Sequence, residues 1–384
     1  MTQMNEVLNQ AIEAGKVPGL VAMAANRDGV FFEAAVGTRG VDTSKAMQID
    51  SMHRIFSMTK AIGTSAAVKL IEDGVLNLDT PVADILPDFA DLRVLEGFDG
   101  DTPKLRAPKT QATIRHLATH TSGLEYEFWN GDIAKYLEVT GHPTILSGLK
   151  QSLNYPLGFD PGTKWGYGPS IDWLGQVVEA VSGKRIDAFC KEFLFEPLGL
   201  TDTLFECTGP HRERLVTAHA HDETGALVAT ELEAPSKPEI YGMGHALFST
   251  APDYMRFLRM LLNGGELDGT RILKPETVAM MCENHIGDLN MEKMVTVAPP
   301  ISASVDFFPG VTKKWGLGFM YNEEDIPGMR SAGSQTWAGV LNTHMWWDRK
   351  KGIAGIIFMQ HIPFADETAL QIYGDFEQAV YASL

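Results

Sequence analysis

The chain has 384 residues, 44% of them hydrophobic, with 32 basic against 49 acidic side chains and a net charge of -17. That length and apolar content allow a sizeable core, and the acidic excess has the wrong sign for a nucleic-acid or anionic-membrane partner. The segment Met1 to Leu8 lacks the basic start and apolar run of a signal peptide, and no later stretch reaches the roughly eighteen apolar residues of a membrane span, so a cytoplasmic protein is expected. Cys190, Cys207 and Cys282 are few, odd in number and far apart, which predicts free thiols rather than a disulfide framework or a cysteine metal site.

Residues 4 to 14 predict an amphipathic helix. Gly19 to Ala25 and Val30 to Val36 predict two strands joined through Asn26-Arg27-Asp28-Gly29, where the Asp-Gly pair favours a hairpin. A helix is predicted from Ser57 to about Asp73, closed by Gly74 where a left-handed cap is easiest. From about residue 75 to 230 the pattern turns helical and irregular, with helices expected over Thr113 to Thr119, over Ser170 to Val181 (capped by Ser170, closed by Gly183) and over Ile186 to Phe195. Thr250 caps a helix that runs through Leu262 and stops at Gly264-Gly265, and Pro275 opens another through Met281. The β-rich segments Trp315 to Tyr321, Thr336 to Trp347 and Gly352 to Gln360 are divided by turns at Pro327-Gly328 and Asp348 to Gly352, as in an antiparallel meander, and a last helix is expected over about Glu367 to Ala382. With no repeat or linker, the strands at both ends of the chain are expected in one sheet. The predicted fold class is α/β (α+β): an antiparallel sheet flanked by helices from residues 1–74 and 231–384, a mainly helical domain of residues 75–230 inserted, and the site at their interface.

Ser57 stands three residues before Lys60 in Arg54-Ile55-Phe56-Ser57-Met58-Thr59-Lys60-Ala61-Ile62-Gly63. Positions i and i+3 share a helix face, so hydroxyl and amine meet if the helix opens at Ser57. A serine hydroxyl needs a neighbouring base, and lysine serves when its surroundings favour the neutral amine, as the apolar flank of Ile55, Phe56, Ala61 and Ile62 does. The positive end of the helix dipole favours a developing alkoxide. Tyr167, in Pro161-Gly162-Thr163-Lys164-Trp165-Gly166-Tyr167-Gly168-Pro169-Ser170, sits on a loop where an ammonium would stabilise its phenolate and let it relay protons; a packed aromatic is the competing reading. In Gln335-Thr336-Trp337-Ala338-Gly339-Val340, Gly339 leaves room beside the backbone. An edge strand there, with free amides, can supply one donor of an oxyanion hole and the Ser57 amide the other, with Trp337 walling an acyl pocket; plain strand packing is the alternative.

With these three pieces in order, the chain resembles the serine β-lactamase and penicillin-binding-protein superfamily, most closely the class C β-lactamase-like family VIII carboxylesterases. The resemblance covers nearly the whole chain and includes Leu76-Asn77-Leu78-Asp79-Thr80-Pro81-Val82, Thr113 to Leu124, and Pro197-Leu198-Gly199-Leu200-Thr201-Asp202-Thr203. It implies Ser57, Lys60 and Tyr167 as the catalytic set, the amides of Ser57 and Val340 as the oxyanion hole, and Trp337, Ala338 and Gly339 as substrate-binding. Two departures stand out. Class C β-lactamases place asparagine at the second position after the tyrosine, where this chain has Pro169, and carry Lys-Thr-Gly on the late strand, where it has Trp337-Ala338-Gly339. Losing that amide and that lysine favours a neutral ester over an anionic lactam, and the tryptophan-x-glycine form is similar to that of family VIII esterases.

His219-Ala220-His221-Asp222 has the alternation of a metal-binding strand but lacks further convincing ligands, so a solvated strand ending in a hairpin turn at Asp222-Glu223-Thr224-Gly225 is expected. His120, with no GxSxG elbow in the chain, is expected to be packed and hydrogen-bonded rather than a triad base. Tyr126, Phe128 and Trp129 are candidates to line the substrate mouth, core packing being the alternative. The expected activity is hydrolysis of short-chain carboxylic esters, as small-molecule substrates, through an acyl-enzyme on Ser57, with no cofactor, metal, nucleic-acid or membrane partner. A β-lactamase or D-amino-acid peptidase, an acyltransferase, and a non-catalytic binding protein are the alternatives.

Overall fold

The computed structural model describes residues 2–235 and 237–384. Helix α1 (Thr2–Glu13) leads into β1 (Gly19–Asn26) and β2 (Val30–Gly37), paired as the predicted hairpin, and Asn26 Oδ1 accepts the amides of Asp28 and Gly29 at 2.9 Å each. A 3-10 turn, Phe56–Met58, then opens α2 (Thr59–Glu72), while α3 (Ser170–Ser182) and α4 (Ala251–Leu262) follow much later in the chain. The meander comprises β3 (Lys313–Trp315), β4 (Met320–Asn322), β5 (Gln335–Gly339), β6 (Thr343–Asp348) and β7 (Ile353–Phe358), and α5 (Glu367–Ala382) follows it. The two ends of the chain meet in one seven-stranded sheet of order β3-β4-β5-β6-β7-β1-β2, antiparallel throughout.

Strand alternation decides what covers each face of this sheet. Leu20, Ala22, Ala24, Trp346, Ile353 and Ile357 pack with Met4 and Leu8 of α1 and Phe376 of α5. Val21, Met23, Met345, Trp347, Ile356 and Phe358 point the other way, into the larger core shared with α2 and α4. α2 therefore runs between the sheet and the helical part of the molecule, where it packs on α3. Gly63 eases that approach, because a Cβ there would lie 3.1 Å from Ile171 Cγ2 of α3 and 2.8 Å from the Met243 side chain in the turn beside it. On the outer face, the fully buried Arg330 binds both carboxylate oxygens of Glu377, at 2.8 and 2.6 Å, which ties the meander to α5.

Several expectations are corrected. Trp315 to Tyr321 is a hairpin rather than one run: β3 turns at Gly316–Phe319, and Trp315 pairs with Met320. Thr336 to Trp347 likewise divides into β5 and β6, with Gly339 opposite Thr343. Ser170 is the first residue of α3 rather than its cap, which is Pro169, and its hydroxyl bonds that of Ser122 at 2.8 Å. The predicted helix Ile186 to Phe195 is α-helical only over Ile186–Cys190 and continues as a π-helical stretch over Lys191–Phe195. Between residues 75 and 230 the fold adds a helix over Gly131–Thr140 and a hairpin of Val94–Asp99 with Thr102–Arg106, neither of them predicted. Among the described residues no helix is long and apolar enough to cross a membrane.

Candidate active site

The 3-10 turn before α2 delivers Ser57 to the junction of sheet and helices. Phe56, just before it, has a left-handed backbone with φ 41°, a conformation that non-glycine residues adopt only under strain. The Lys60 side chain is fully buried, and its Nζ lies 3.1 Å from Ser57 Oγ, 3.1 Å from Tyr126 Oη and 2.8 Å from the Gly244 carbonyl oxygen. The predicted i,i+3 meeting is thus made across the boundary between the turn and the helix. Burial drives the Lys60 pKa down to about 7, with the nearby Asp172 carboxylate opposing part of that fall.

Tyr167 reaches the same place from its glycine-rich loop. Burial raises the pKa of its phenol, with hydrogen bonding to Ser57 and Trp337 opposing the rise, and Trp337 Nε1 donates to Tyr167 Oη at 3.0 Å. Lys60 Nζ sits 4.7 Å from the centre of the Tyr167 ring, over its face. This corrects the idea of a phenolate held by an ammonium: the environment keeps the phenol protonated and the amine partly free. Trp337 itself belongs to an aromatic cluster, 4.7 Å from Trp315 and 4.9 Å from Tyr167 between ring centres. Ala338 is buried, lining a small cleft with Phe307, His344 and Tyr373.

β5 lies inside the sheet between β4 and β6 rather than at the expected edge, and Gly339 brings its end against the 3-10 turn of Ser57. A Cβ there would stand 2.3 Å from the Ile55 carbonyl oxygen and 2.4 Å from Thr343 Oγ1, so only glycine fits. Val340 follows in the turn, and among the described residues neither its amide nor that of Ser57 donates to a carbonyl or side chain. Phe56 and His245 share a cavity of about 80 Å³ with Leu146, Phe205 and Phe248, and the charged Arg54 and Glu233 also line it.

The remaining candidates fall differently. Tyr126 is buried, its ring stacked on Phe128 at 5.0 Å and its hydroxyl on Lys60, while Phe128 and Trp129 are half-buried beside it. His120 is packed among Tyr167, Trp165 and Trp315, but neither ring nitrogen has a hydrogen-bond partner among the described residues, which corrects the expected hydrogen bonding. Burial, then Lys60, hold its pKa well below the usual histidine range, so it is neutral. His219 is buried, not solvated: its Nδ1 is 3.1 Å from the Gln360 carbonyl oxygen and its Nε2 accepts the Val41 amide at 3.2 Å, so both nitrogens are engaged. His221 is exposed at the predicted hairpin. The sequence reading missed Asp172, on the buried face of α3, whose Oδ1 accepts the Gly244 amide at 3.0 Å. A carboxylate inside an otherwise apolar helix face is the signal that marks it.

Comparison with known proteins extends this geometry. The Beta-lactamase family model matches residues 4–379. The chain belongs to the Beta-lactamase family. Within reach of that family, it is 33% identical over 375 residues to the lovastatin esterase of Penicillium rubens, a match covering 94% of this chain and 92% of that one. It is 31% identical over 399 residues to the monacolin J acid methylbutanoyltransferase of Aspergillus terreus, covering 99% and 95%. The unliganded structure of simvastatin synthase from Aspergillus terreus superposes with a TM-score of 0.86 at 28% identity, covering 100% of this chain and 98% of that one. The mixed architecture with its large antiparallel sheet is that of the β-lactamase/transpeptidase fold, and the enzyme belongs to the serine hydrolase and acyltransferase superfamily.

Proposed function

We propose that this enzyme is a carboxylesterase akin to family VIII, cleaving small neutral esters through an acyl-enzyme on Ser57. The observation that carries the reading is the buried Lys60 amine, 3.1 Å from Ser57 Oγ with a pKa of about 7, which is free in about half the molecules at neutral pH. In the first step the Ser57 Oγ–H proton passes to Lys60 Nζ as Oγ bonds to the substrate carbonyl carbon, and the amides of Ser57 and Val340 receive the charge on the carbonyl oxygen. Tyr167, kept protonated by burial, gives its proton to the departing alcohol and takes back the proton that Lys60 received from Ser57. A water activated by the same pair then attacks the acyl carbonyl and releases the acid. Trp337 puts an indole where a cation would be needed for an anionic lactam.

A second reading is acyl transfer to an alcohol in place of water, which a relative named as a methylbutanoyltransferase, matched over almost the whole chain, favours. Both use the same acyl-enzyme and differ in the acceptor. The test is a p-nitrophenyl ester panel run beside a chromogenic cephalosporin on wild type and Ser57→Ala, with and without an added alcohol. Ester turnover that vanishes in the variant and exceeds cephalosporin turnover supports the proposal. Unchanged ester turnover in Ser57→Ala refutes it, and ester product in place of acid when alcohol is present moves the assignment to the transferase.

A further inference from the structure

We propose that Asp172 and Tyr126 are positioning residues that turn the lone pair of Lys60 onto Ser57, Asp172 acting through the Gly244 carbonyl. The proposal rests on the reading of Lys60 as the base. Its root is the valence of a neutral amine, which has two N–H donors and one lone pair in tetrahedral array. Lys60 Nζ has three oxygen neighbours, Gly244 O at 2.8 Å, Tyr126 Oη at 3.1 Å and Ser57 Oγ at 3.1 Å. A carbonyl oxygen only accepts, so Gly244 takes one N–H. With the second N–H on the Tyr126 oxygen, the lone pair faces the Ser57 hydroxyl, and the proton of Ser57 moves to it along the 3.1 Å contact as Oγ attacks.

Asp172 holds the first of these acceptors. Its side chain is fully buried on α3, and Oδ1 accepts the Gly244 amide at 3.0 Å. The backbone lies directly on the carboxylate: a Cβ at Gly244 would sit 2.4 Å from Oδ2, and one at Gly242 would sit 2.5 Å from Oδ1. His245 Nδ1 lies 3.2 Å from the same Oδ1, off the line of a hydrogen bond, and Oδ2 has no hydrogen-bond partner among the described residues. A buried carboxylate with one unpartnered oxygen is costly when its only task is to hold a loop, since a neutral amide would hold Gly244 equally well. Its charge has a further effect here. Burial works to protonate Asp172, but His245, Lys60 and the Gly244 amide more than offset it, so the carboxylate is ionised and supports the protonated form that Lys60 takes in the transition state. The groups facing Lys60 are then Asp172, Tyr126, Tyr167, Ser57 and the neutral His120.

The test measures kcat, KM and the pH profile of p-nitrophenyl acetate hydrolysis, together with the rate at which a p-nitrophenyl phosphonate labels Ser57. Tyr126→Phe removes only the hydroxyl and is expected to lower kcat about tenfold or more while KM stays within about threefold. Asp172→Asn keeps an oxygen for Gly244 and removes the charge; its acidic limb is expected to move to lower pH by about one unit, with a lower plateau. Lys60→Ala separates this proposal from the reading beneath it, because labelling at the wild-type rate in that variant refutes Lys60 as the base. If Lys60→Ala abolishes labelling while Tyr126→Phe and Asp172→Asn keep kcat within about twofold and the acidic limb in place, the positioning proposal alone is overturned. Should circular dichroism show Asp172→Asn unfolded, the Tyr126→Phe result decides.

Discussion

Replacing Lys60 by methionine is expected to make the protein more stable and inactive. Lowering the amine pKa from 10.5 to about 7 corresponds to about 5 kcal/mol against the ammonium in the folded state, of which about 4 kcal/mol is felt at pH 7. The sign follows from proton binding. Between pH 7 and 10.5 the unfolded chain holds a proton at Lys60 that the folded one sheds, so wild-type stability rises with pH across that window, and below it the penalty is present in full. Methionine fills a similar volume without charge, but it leaves the Gly244 carbonyl and the Tyr126 hydroxyl without the amine, at about 1 kcal/mol each. The net gain is about 2 kcal/mol at pH 7. Urea unfolding of wild type and Lys60→Met at pH 6, 7, 8 and 9.5 reads it directly: the variant should lead at pH 6 and 7, and its lead should narrow steadily as pH rises. A variant less stable than wild type at pH 6, or a gap that does not change with pH, refutes the claim that a buried amine of lowered pKa sits beside Ser57.

Gly339→Ala puts a methyl 2.3 Å from the Ile55 carbonyl oxygen, so β5 and the Val340 amide must shift; kcat for p-nitrophenyl esters should fall about a hundredfold, as for loss of one oxyanion donor, and an activity near wild type would remove Val340 from that role. Glu377→Ala leaves the fully buried Arg330 guanidinium without its carboxylate and should cost about 3 to 5 kcal/mol in a urea melt, far from the site; a loss below about 1 kcal/mol would show that the pair does not tie the meander to α5.

How much of this was readable in the sequence depends on distance along the chain. The Ser57-Lys60 meeting is local, so spacing and apolar flanks suffice for it, as does the Asp28-Gly29 pair for the first hairpin. Tyr167 and Trp337 were identified by their surrounding motifs, but the hydrogen bond joining them spans 170 positions and no local pattern encodes it. Tyr126 shows the limit most clearly: an aromatic in an aromatic run reads as a pocket wall, yet its hydroxyl meets an amine 66 positions away. Asp172 and Gly244, 72 positions apart, are linked only once α3 packs on the turn beside α2. The hairpin at Gly316–Phe319 was hidden because its turn is as apolar as its strands, and only the left-handed backbone of Gly318, with φ 90°, reveals the break. Alternation predicts the faces of the His219 strand and not what later covers them; the Gln360 segment buries His219 here.

The central claim is that a partly deprotonated lysine takes the Ser57 proton. The most direct measurement is the pH dependence of Ser57 labelling by a p-nitrophenyl phosphonate, with the adduct located by mass spectrometry. An adduct on Ser57 is expected, forming at a rate that rises through a midpoint at about pH 7. An adduct elsewhere, or a midpoint near the ordinary lysine value of 10.5, would contradict it.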